Sequence, residues 1–418
     1  MNVRGDRYLV HEREHFEDLL GGQGQLLSEA LGVSSKQIVE GFSAIIDSLT
    51  YGIGDAMSEM RELMAKVDPI FLTRASKVNP KTDEEARKLM SEVIEAEGLG
   101  EKMAWIQSRA FGMALFDLGQ VTDLPSSFLK ALSWGLGEES SFFSGDEFAG
   151  WPTRATPISK RPFITIDGKH YCFCIYALCD HFYRTVEKMV RKAKPDSVDS
   201  WNQNQTEITE ELPLKYLRKI LPKSDSFKSV YYRWYPKEGH PKREWCEVDG
   251  LFLVEDHLIV IEVKAPAFSS QSPFDRFDTH ADSVRKLVGD PIRQGARFVE
   301  YLKHHDEVQI YDADHKPVGC LNQAAFRKIT ICAMSIDPMT EIASKAHRLK
   351  PLGIDTGDLP VWAISLDDLR VCSEVFTHPL VFLHFLEKRT KASQEMNVEL
   401  NDELDHIGLY FEHNDYTL

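Results

Sequence analysis

The sequence predicts a mixed α+β protein with an α/β core, ordered helix, strand, strand, strand, helix, strand. A mainly helical N-terminal domain precedes the core and a helical region follows it. Three observations carry this expectation. Residues 1–150 show 3.6-residue apolar spacing with Glu- and Lys-rich outer faces. From Trp201 onward, alternating aromatic and β-branched runs are separated by short turns. After Val361–Ser365 helical spacing returns to the end. A chain of 418 residues is expected to hold more than one core. The expected divisions are 1–150 (helical and acidic), 151–198 (a strand hairpin and a connecting helix), 199–345 (the core) and 346–418 (a last strand and acidic helices).

Each element has a local reason. Gln37–Leu49 and Thr82–Ala96 carry amphipathic helical spacing, and Asp83, Glu84 and Glu85 suit a first helical turn. A loop rich in Ser, Gly and Pro spans Gly137–Pro162. Phe163–Ile166 and His170–Cys174 read as short strands around an Asp167-Gly168 turn. A helix from Ala177 to Lys194 stops at Pro195. In the core, Glu210–Leu221 reads as helix and Ser229–Tyr235 as strand. Trp245–Val254 and Leu258–Ala265 form a strand pair around Glu255-Asp256. Asp290-Pro291 opens an amphipathic helix to His304, with proline at its preferred first turn. Phe326–Ile336 and Val361–Ser365 are the last strands, and Ser365-Leu366-Asp367-Asp368 resembles a helix start. No internal repeat or low-complexity tract is present.

Composition narrows the function. Hydrophobic residues make up 43% and charged residues 27%, as in a soluble globular protein. No apolar run is long enough to cross a bilayer, so no membrane partner is expected. Arg4, Asp6, Arg7, Glu12, Arg13 and Glu14 leave no apolar stretch for a leader, and seven scattered cysteines imply reduced thiols. A cytoplasmic address is therefore expected. The net charge of −16 argues against coating nucleic acid through bulk charge, but the average hides a division. Residues 1–150 carry 14 basic against 25 acidic side chains, 351–418 carry 4 against 13, and 151–350 come to +4. Within 212–243, nine basic residues, including Arg233, Lys242 and Arg243, face two acidic ones and are interleaved with Tyr216, Tyr231, Tyr232, Trp234 and Tyr235. That mixture suits phosphate contact and base stacking, although for this segment taken alone a solvated helix followed by a half-buried strand is the favoured reading.

The segment Glu247-Val248-Asp249-Gly250, followed by Ile261-Glu262-Val263-Lys264, brings in chemistry. Glu262 and Lys264 are two apart on a strand and share a face. With Glu255-Asp256 as a two-residue loop, Asp249 lies opposite Glu262; with Asp256-His257 as the loop, it lies opposite Lys264. Val248, Phe252, Ile259, Ile261 and Val263 take the other face as core. Two neighbouring carboxylates repel unless a cation lies between them. Oxygen ligands of this kind suit Mg²⁺ or Mn²⁺, and a nearby lysine can stabilise charge developing on phosphorus. A salt bridge between Glu262 and Lys264 on an exposed face is the bland alternative; the hairpin-matched Asp249 weighs against it.

Asp249…Glu262-Val263-Lys264, preceded by a Glu-bearing helix and followed by a helix and a strand, resembles the PD-(D/E)xK nuclease superfamily over roughly residues 200–340. The resemblance implies a restriction-endonuclease-like αβββαβ core that hydrolyses phosphodiesters with Mg²⁺ (or Mn²⁺). By it, Asp249, Glu262 and the Val263 carbonyl hold metal, and Lys264 is the catalytic lysine. A glutamate from the preceding helix joins them. Glu207, Glu210 and Glu211 are candidates, although acidic residues also suit a helix N-terminus. A buried stripe of Leu214, Leu217 and Leu221 centres Glu210, while Pro213 leaves the phase, and therefore Glu211, open. Position 248 is Val where the superfamily often has Pro. RecB-like members carry a helical Gln after the catalytic strands; Gln294 matches it, with Arg293 and Arg297 as phosphate contacts, although the Tyr expected four residues later is Phe298. The layout is similar to bacterial restriction and antiphage-defence effectors, which implies a nucleic-acid partner, DNA first, and endonuclease rather than exonuclease action. Homo-oligomerisation and a regulatory protein partner at the helical ends are compatible with it. The alternative is a catalytically inactive nuclease-fold module binding nucleic acid or protein, with the helical regions as scaffold or sensor.

His11-Glu12-Arg13-Glu14-His15 fits the H-E-x-x-H pattern, but its charged intervening residues speak against a buried zinc helix. Cys172, Cys174 and Cys179 lack zinc-site spacing and are expected in the core.

Overall fold

The structure is a computed structural model that describes residues 8–145, 149–151, 156–237, 239–265, 276–337, 339–394 and 400–417. Arg4, Asp6, Arg7, Glu238 and, within the 137–162 loop, 146–148 and 152–155 lie outside the described residues. The fold is mixed α+β, with helices prevailing toward both ends and two mixed sheets between them. Among the described residues, no helix is long and apolar enough to cross a membrane. Two compact units form, grouped differently from the expected divisions. One holds the chain up to Gln23 and from Asp196 onward; the other holds Gly24–Gly150 and Thr156–Pro195. The reason is strand pairing: each sheet recruits segments from both sides of an expected boundary.

In the helical unit, Ser34 caps the 44-residue helix Ser35–Val78, accepting from the Gln37 N–H while Gln37 accepts from the Ser34 N–H at 3.0 Å. Thr82 caps Asp83–Ala96 by accepting from the Glu85 N–H at 3.2 Å. Leu63, Val67, Val93, Met103 and Ile106 form the core between these helices and Gly100–Ala110. Strand β2 (Phe163–Ile166) pairs antiparallel with β3 (Lys169–Tyr171) around Asp167 and Gly168, whose φ of 49° and 78° are those of a type I′ turn. Strand β1 (Ser133–Gly135) was not expected; its three residues pair parallel with β2. β3 ends at Tyr171, short of Cys174: Cys172 is buried as expected, while Cys174, just before the helix Ile175–Ala193, is only partly buried and not in the core expected for it. No disulfide joins the seven cysteines, all of which are among the described residues.

The second unit is built on a seven-stranded sheet: β4 (Asp225–Trp234), β5 (Glu244–Val254), β6 (His257–Lys264), β7 (Glu307–Tyr311), β8 (Pro317–Asn322), β9 (Lys328–Ser335) and β10 (Val361–Ser365), in the order β10-β9-β6-β5-β4-β7-β8. β9 is parallel to both β6 and β10, and the other pairs are antiparallel. β7 and β8 are an insertion between the Asp290–His304 helix and β9 that the expected order lacks. They are short strands at the β8 edge of the sheet, and few of their residues are buried, so their alternation is faint.

Helices cover both faces of this sheet. Ile292, Phe298, Val299 and Leu302 of Asp290–His304 pack on Tyr232, Leu251, Val260, Ile331 and Ala333. That helix does not start at Asp290: Phe277–Val284 and a π-helical segment, Arg285–Gly289, run straight into it. Pro291 lacks the N–H that an α-turn would donate, and a π turn just ahead of it absorbs the mismatch. On the opposite face, Val198–Ile220 rides so close to β5 that a Cβ on Gly250 would lie 3.0 Å from Leu214 Cδ2. Arg370, on the helix Leu366–Val375, is buried and donates to Asp18, Asp367, Tyr216 and His15. One guanidinium thus ties Glu12–Gly21 and Leu366–Val375 to Val198–Ile220.

Candidate active site

The turn Glu255-Asp256 sets the geometry. Val254 pairs with His257, and the ladder runs to Gly250 with Ile261, so the two-residue loop is the register observed. There the strands part. β5 continues beside β4, with Val230 opposite Val248 and Tyr231 opposite Glu247, while β6 continues beside β9, with Glu262 opposite Ala333 and Lys264 opposite Ser335. The Asp249 carboxylate fills the fork, Oδ2 accepting from the Val263 N–H at 2.6 Å. Glu262 is 1% exposed, and its Oε2 lies 3.9 Å from Lys264 Nζ.

A second distortion shapes the same place. Phe227 and Val230 both pack on the core beneath Asp290–His304, as do Val248 and Leu251, although strict alternation forbids partners three apart. Ser229 resets β4: its φ is 49°, the left-handed region that a non-glycine residue occupies at a cost of about 1–2 kcal/mol. Val248 consequently leaves the face expected for it. The Ser229 hydroxyl donates to Glu210 Oε2 at 2.9 Å.

Glu210 and Glu211 are thereby distinguished. Their helix begins at Val198 and passes through Pro213, so neither stands at an N-terminus. Glu210 turns to the fork, where Asp249 acts on it; Glu211 is half-exposed and accepts from Arg218 at 2.8 Å. Glu207 is exposed, its carbonyl 3.4 Å from Lys228 Nζ. Glu247, which the sequence left without a role, joins the group: it accepts from the Tyr231 hydroxyl and shares its field with Asp249 and Lys264. Its position two residues before Asp249 was the available signal.

Four carboxyls therefore converge on one partly dry place, and each is held above its ordinary range. Burial is the first cause for all of them. It pushes Glu262 well up, with the Asp249 charge adding to it and Lys264 and Arg297 opposing it. Asp249 is raised by burial against the Val263 N–H and Lys264. Glu210 and Glu247 are raised by burial and by Asp249, partly offset by Ser229 and Tyr231 respectively. The Tyr231 phenol is pushed up to about 12 by burial and Glu247. A bound cation would reverse every one of these shifts.

Two orphaned acceptors test the fit of such a cation. Among the described residues, Glu262 Oε1 and Gln294 Oε1 are buried with no hydrogen-bond partner. Gln294 lies one turn before Arg297, whose charge acts on Glu262, so their shared helix face looks onto β6. Leaving a buried acceptor unmatched costs about 1–3 kcal/mol, and more for a charged one. Oxygen-only donors on a carboxylate-rich fork are the ligands Mg²⁺ and Mn²⁺ take. The donor set fits the ion.

The expected phosphate contacts divide. Arg297 is half-buried and committed to the Tyr232 hydroxyl at 3.0 Å and the Pro236 carbonyl at 2.9 Å. Arg293 is exposed and pairs with Asp290. Arg233 sits 5.6 Å from the Trp245 ring, Arg243 sits 4.9 Å from the Trp234 ring, and Lys242 is exposed. Ligand-type atoms already gathered within 4.8 Å occur among the described residues at His11, Glu14 and Glu374; the four fork carboxyls do not form so tight a group. His15 is outside that group, bonded to Arg370 at 2.8 Å.

Compared with known proteins, the chain matches no family model, no curated protein and no solved structure.

Proposed function

We propose that the protein is a metal-dependent nuclease that hydrolyses phosphodiesters, in DNA first, at the β5–β6 fork. The observation that carries this is the buried Glu262 carboxylate, whose Oε1 has no partner among the described residues while Asp249 and Glu247 crowd it with like charge. Such an arrangement is costly for stability and makes sense for a function that supplies a cation.

Asp249, Glu262 and Glu210, with the Val263 carbonyl, would hold Mg²⁺ or Mn²⁺. When bound, such an ion lowers the pKa of a water and neutralises charge on phosphate oxygens. The Lys264 ammonium, beside Glu262, orients the attacking water and opposes the charge growing on phosphorus. Asp249 is itself fixed by the Val263 N–H, which keeps the two strands' acids in register. Ser229 holds Glu210 toward the fork. Gln294 presents a polar atom from the helix that roofs β6.

The test is direct. Purified protein is incubated with plasmid, linear duplex and single-stranded DNA, and with RNA, in Mg²⁺ or Mn²⁺. Cutting is expected in wild type and lost in Asp249→Ala and Lys264→Ala. Full cutting by both variants refutes the site, and no cutting by wild type under any of these conditions refutes the activity.

A further inference from the structure

Past the fork, β4 and β5 carry an aromatic cluster that meets the fork group through the Tyr231 hydroxyl on Glu247. Trp245 pairs with Arg233 across the ladder, and Tyr231 pairs with Tyr311 of β7. His315, at the tip of the β7–β8 turn, lies flat on Trp245, with ring centroids 3.9 Å apart and planes 2° from parallel. Tyr311 meets Trp245 edge-on at 5.0 Å, and Tyr231 meets His315 at 5.6 Å. This is not a core. Trp245 is 37% exposed, and His315, with its outer face, stands in solvent.

The turn that presents His315 is built for it. Asp312 Oδ1 accepts from the Lys316 N–H at 2.8 Å, and the Asp312 carbonyl accepts from the His315 N–H at 2.9 Å. His315 itself has φ 61°, where glycine would sit without strain. A strained, exposed aromatic ring backed by an indole offers one thing: a flat π surface. Cations complement it, with Arg233 against Trp245 and exposed Lys237, Lys242 and Lys316 nearby in the chain. Trp245 and Glu247 share a strand face, and Trp245 lies four residues, about 13 Å, before Asp249.

We propose that the Trp245–His315 stack is a base-stacking shelf for single-stranded nucleic acid, which it delivers along β5 to the fork. A ring face can be used only by a base whose own face is free; in a duplex those faces are covered. Arginine and lysine beside stacked rings then take the phosphates, which explains why the basic, aromatic stretch stands out in an acidic chain. The shelf rests on the nuclease reading for its purpose, but its test is binding rather than cutting.

The experiment uses the full chain in EDTA and fluorescence anisotropy with a labelled oligothymidine, an oligouridine and a duplex of equal length. Wild type should bind a single strand more tightly than the duplex, and the preferred oligomer assigns DNA or RNA. His315→Gly relieves the left-handed strain, so its melting temperature should hold or rise, while single-strand affinity falls about tenfold or more from the loss of one stacked base. Trp245→Ala should behave likewise in binding. The shelf is refuted if His315→Gly and Trp245→Ala both retain wild-type single-strand affinity, or if duplex binds at least as tightly. Trp245-dependent binding without cutting in Mg²⁺ or Mn²⁺ would leave the shelf standing and remove the nuclease; cutting with shelf-independent binding would do the reverse.

Discussion

Replacing Glu262 by glutamine should make the metal-free protein more stable and the metal-loaded protein less so. The carboxylate is 1% exposed, one oxygen lacks a partner among the described residues, and Asp249 raises its pKa further. Glutamine keeps the shape and an oxygen acceptor but removes the charge, so the added cost of burying an ionised acceptor beside Asp249, about 1–3 kcal/mol, largely disappears. A unit of this size shifts its melting temperature by about 2–4 °C per kcal/mol. The assay is thermal melting in EDTA, Mg²⁺ and Mn²⁺. Wild type should gain stability with metal, about 2.7 kcal/mol at a hundredfold excess over Kd, and the variant should gain much less, so the two melting curves exchange order. pH supplies a second check. A carboxyl whose folded pKa lies above its unfolded value weakens the fold above that folded pKa, and protonation removes the penalty as pH falls. The EDTA gap between variant and wild type should therefore close as pH drops through the raised Glu262 pKa toward the ordinary carboxylate range. A variant less stable than wild type in EDTA, with a wild-type response to both metals, refutes this account of the fork.

Three further perturbations separate positioning from packing. Ser229→Gly removes the strain of φ 49° but also the bond to Glu210; the two effects, each about 1 kcal/mol, should leave melting nearly unchanged, while the acid limb of the cleavage pH profile moves upward because Ser229 favours the charged Glu210. Gly295→Ala places a Cβ 2.6 Å from Ile331 Cγ2, so urea denaturation should show a loss of about 1–3 kcal/mol, with reduced cutting because the displaced helix carries Gln294. Arg370→Met removes the buried guanidinium that neutralises Asp367 and Asp18; a loss of about 3–5 kcal/mol in chemical denaturation is expected, and a neutral outcome would show that this network is dispensable.

Much of the core was legible because its signals are local. The apolar alternation of Trp245–Val254 and Leu258–Ala265, closed by Glu255-Asp256, specified a hairpin and placed Asp249 against Glu262, and the observed register is one of the two it allowed. Val361–Ser365 was bounded to the residue. The errors also have local causes. The start of Val198–Ile220 was placed at Glu210 because Pro213 and an acidic run imitate a helix N-terminus. β1 and the β7–β8 insertion were passed over because strands this short and exposed leave little periodicity.

By itself, then, the sequence determined the mixed α+β class, the hairpin and the nearness of Asp249, Glu262 and Lys264, because periods of two and 3.6 residues and a two-residue turn are written within a few neighbouring positions. Only the tertiary structure decided which glutamate faces the fork, that Glu247 and Ser229 belong to it, that the strands part at Gly250, and that His315 lies on Trp245. Those outcomes depend on which strand finds which neighbour, such as Tyr231 beside Tyr311, and on a single residue held in the left-handed region. Pairings between residues far apart in the chain are set by the packing of the whole unit, and no local pattern marks them.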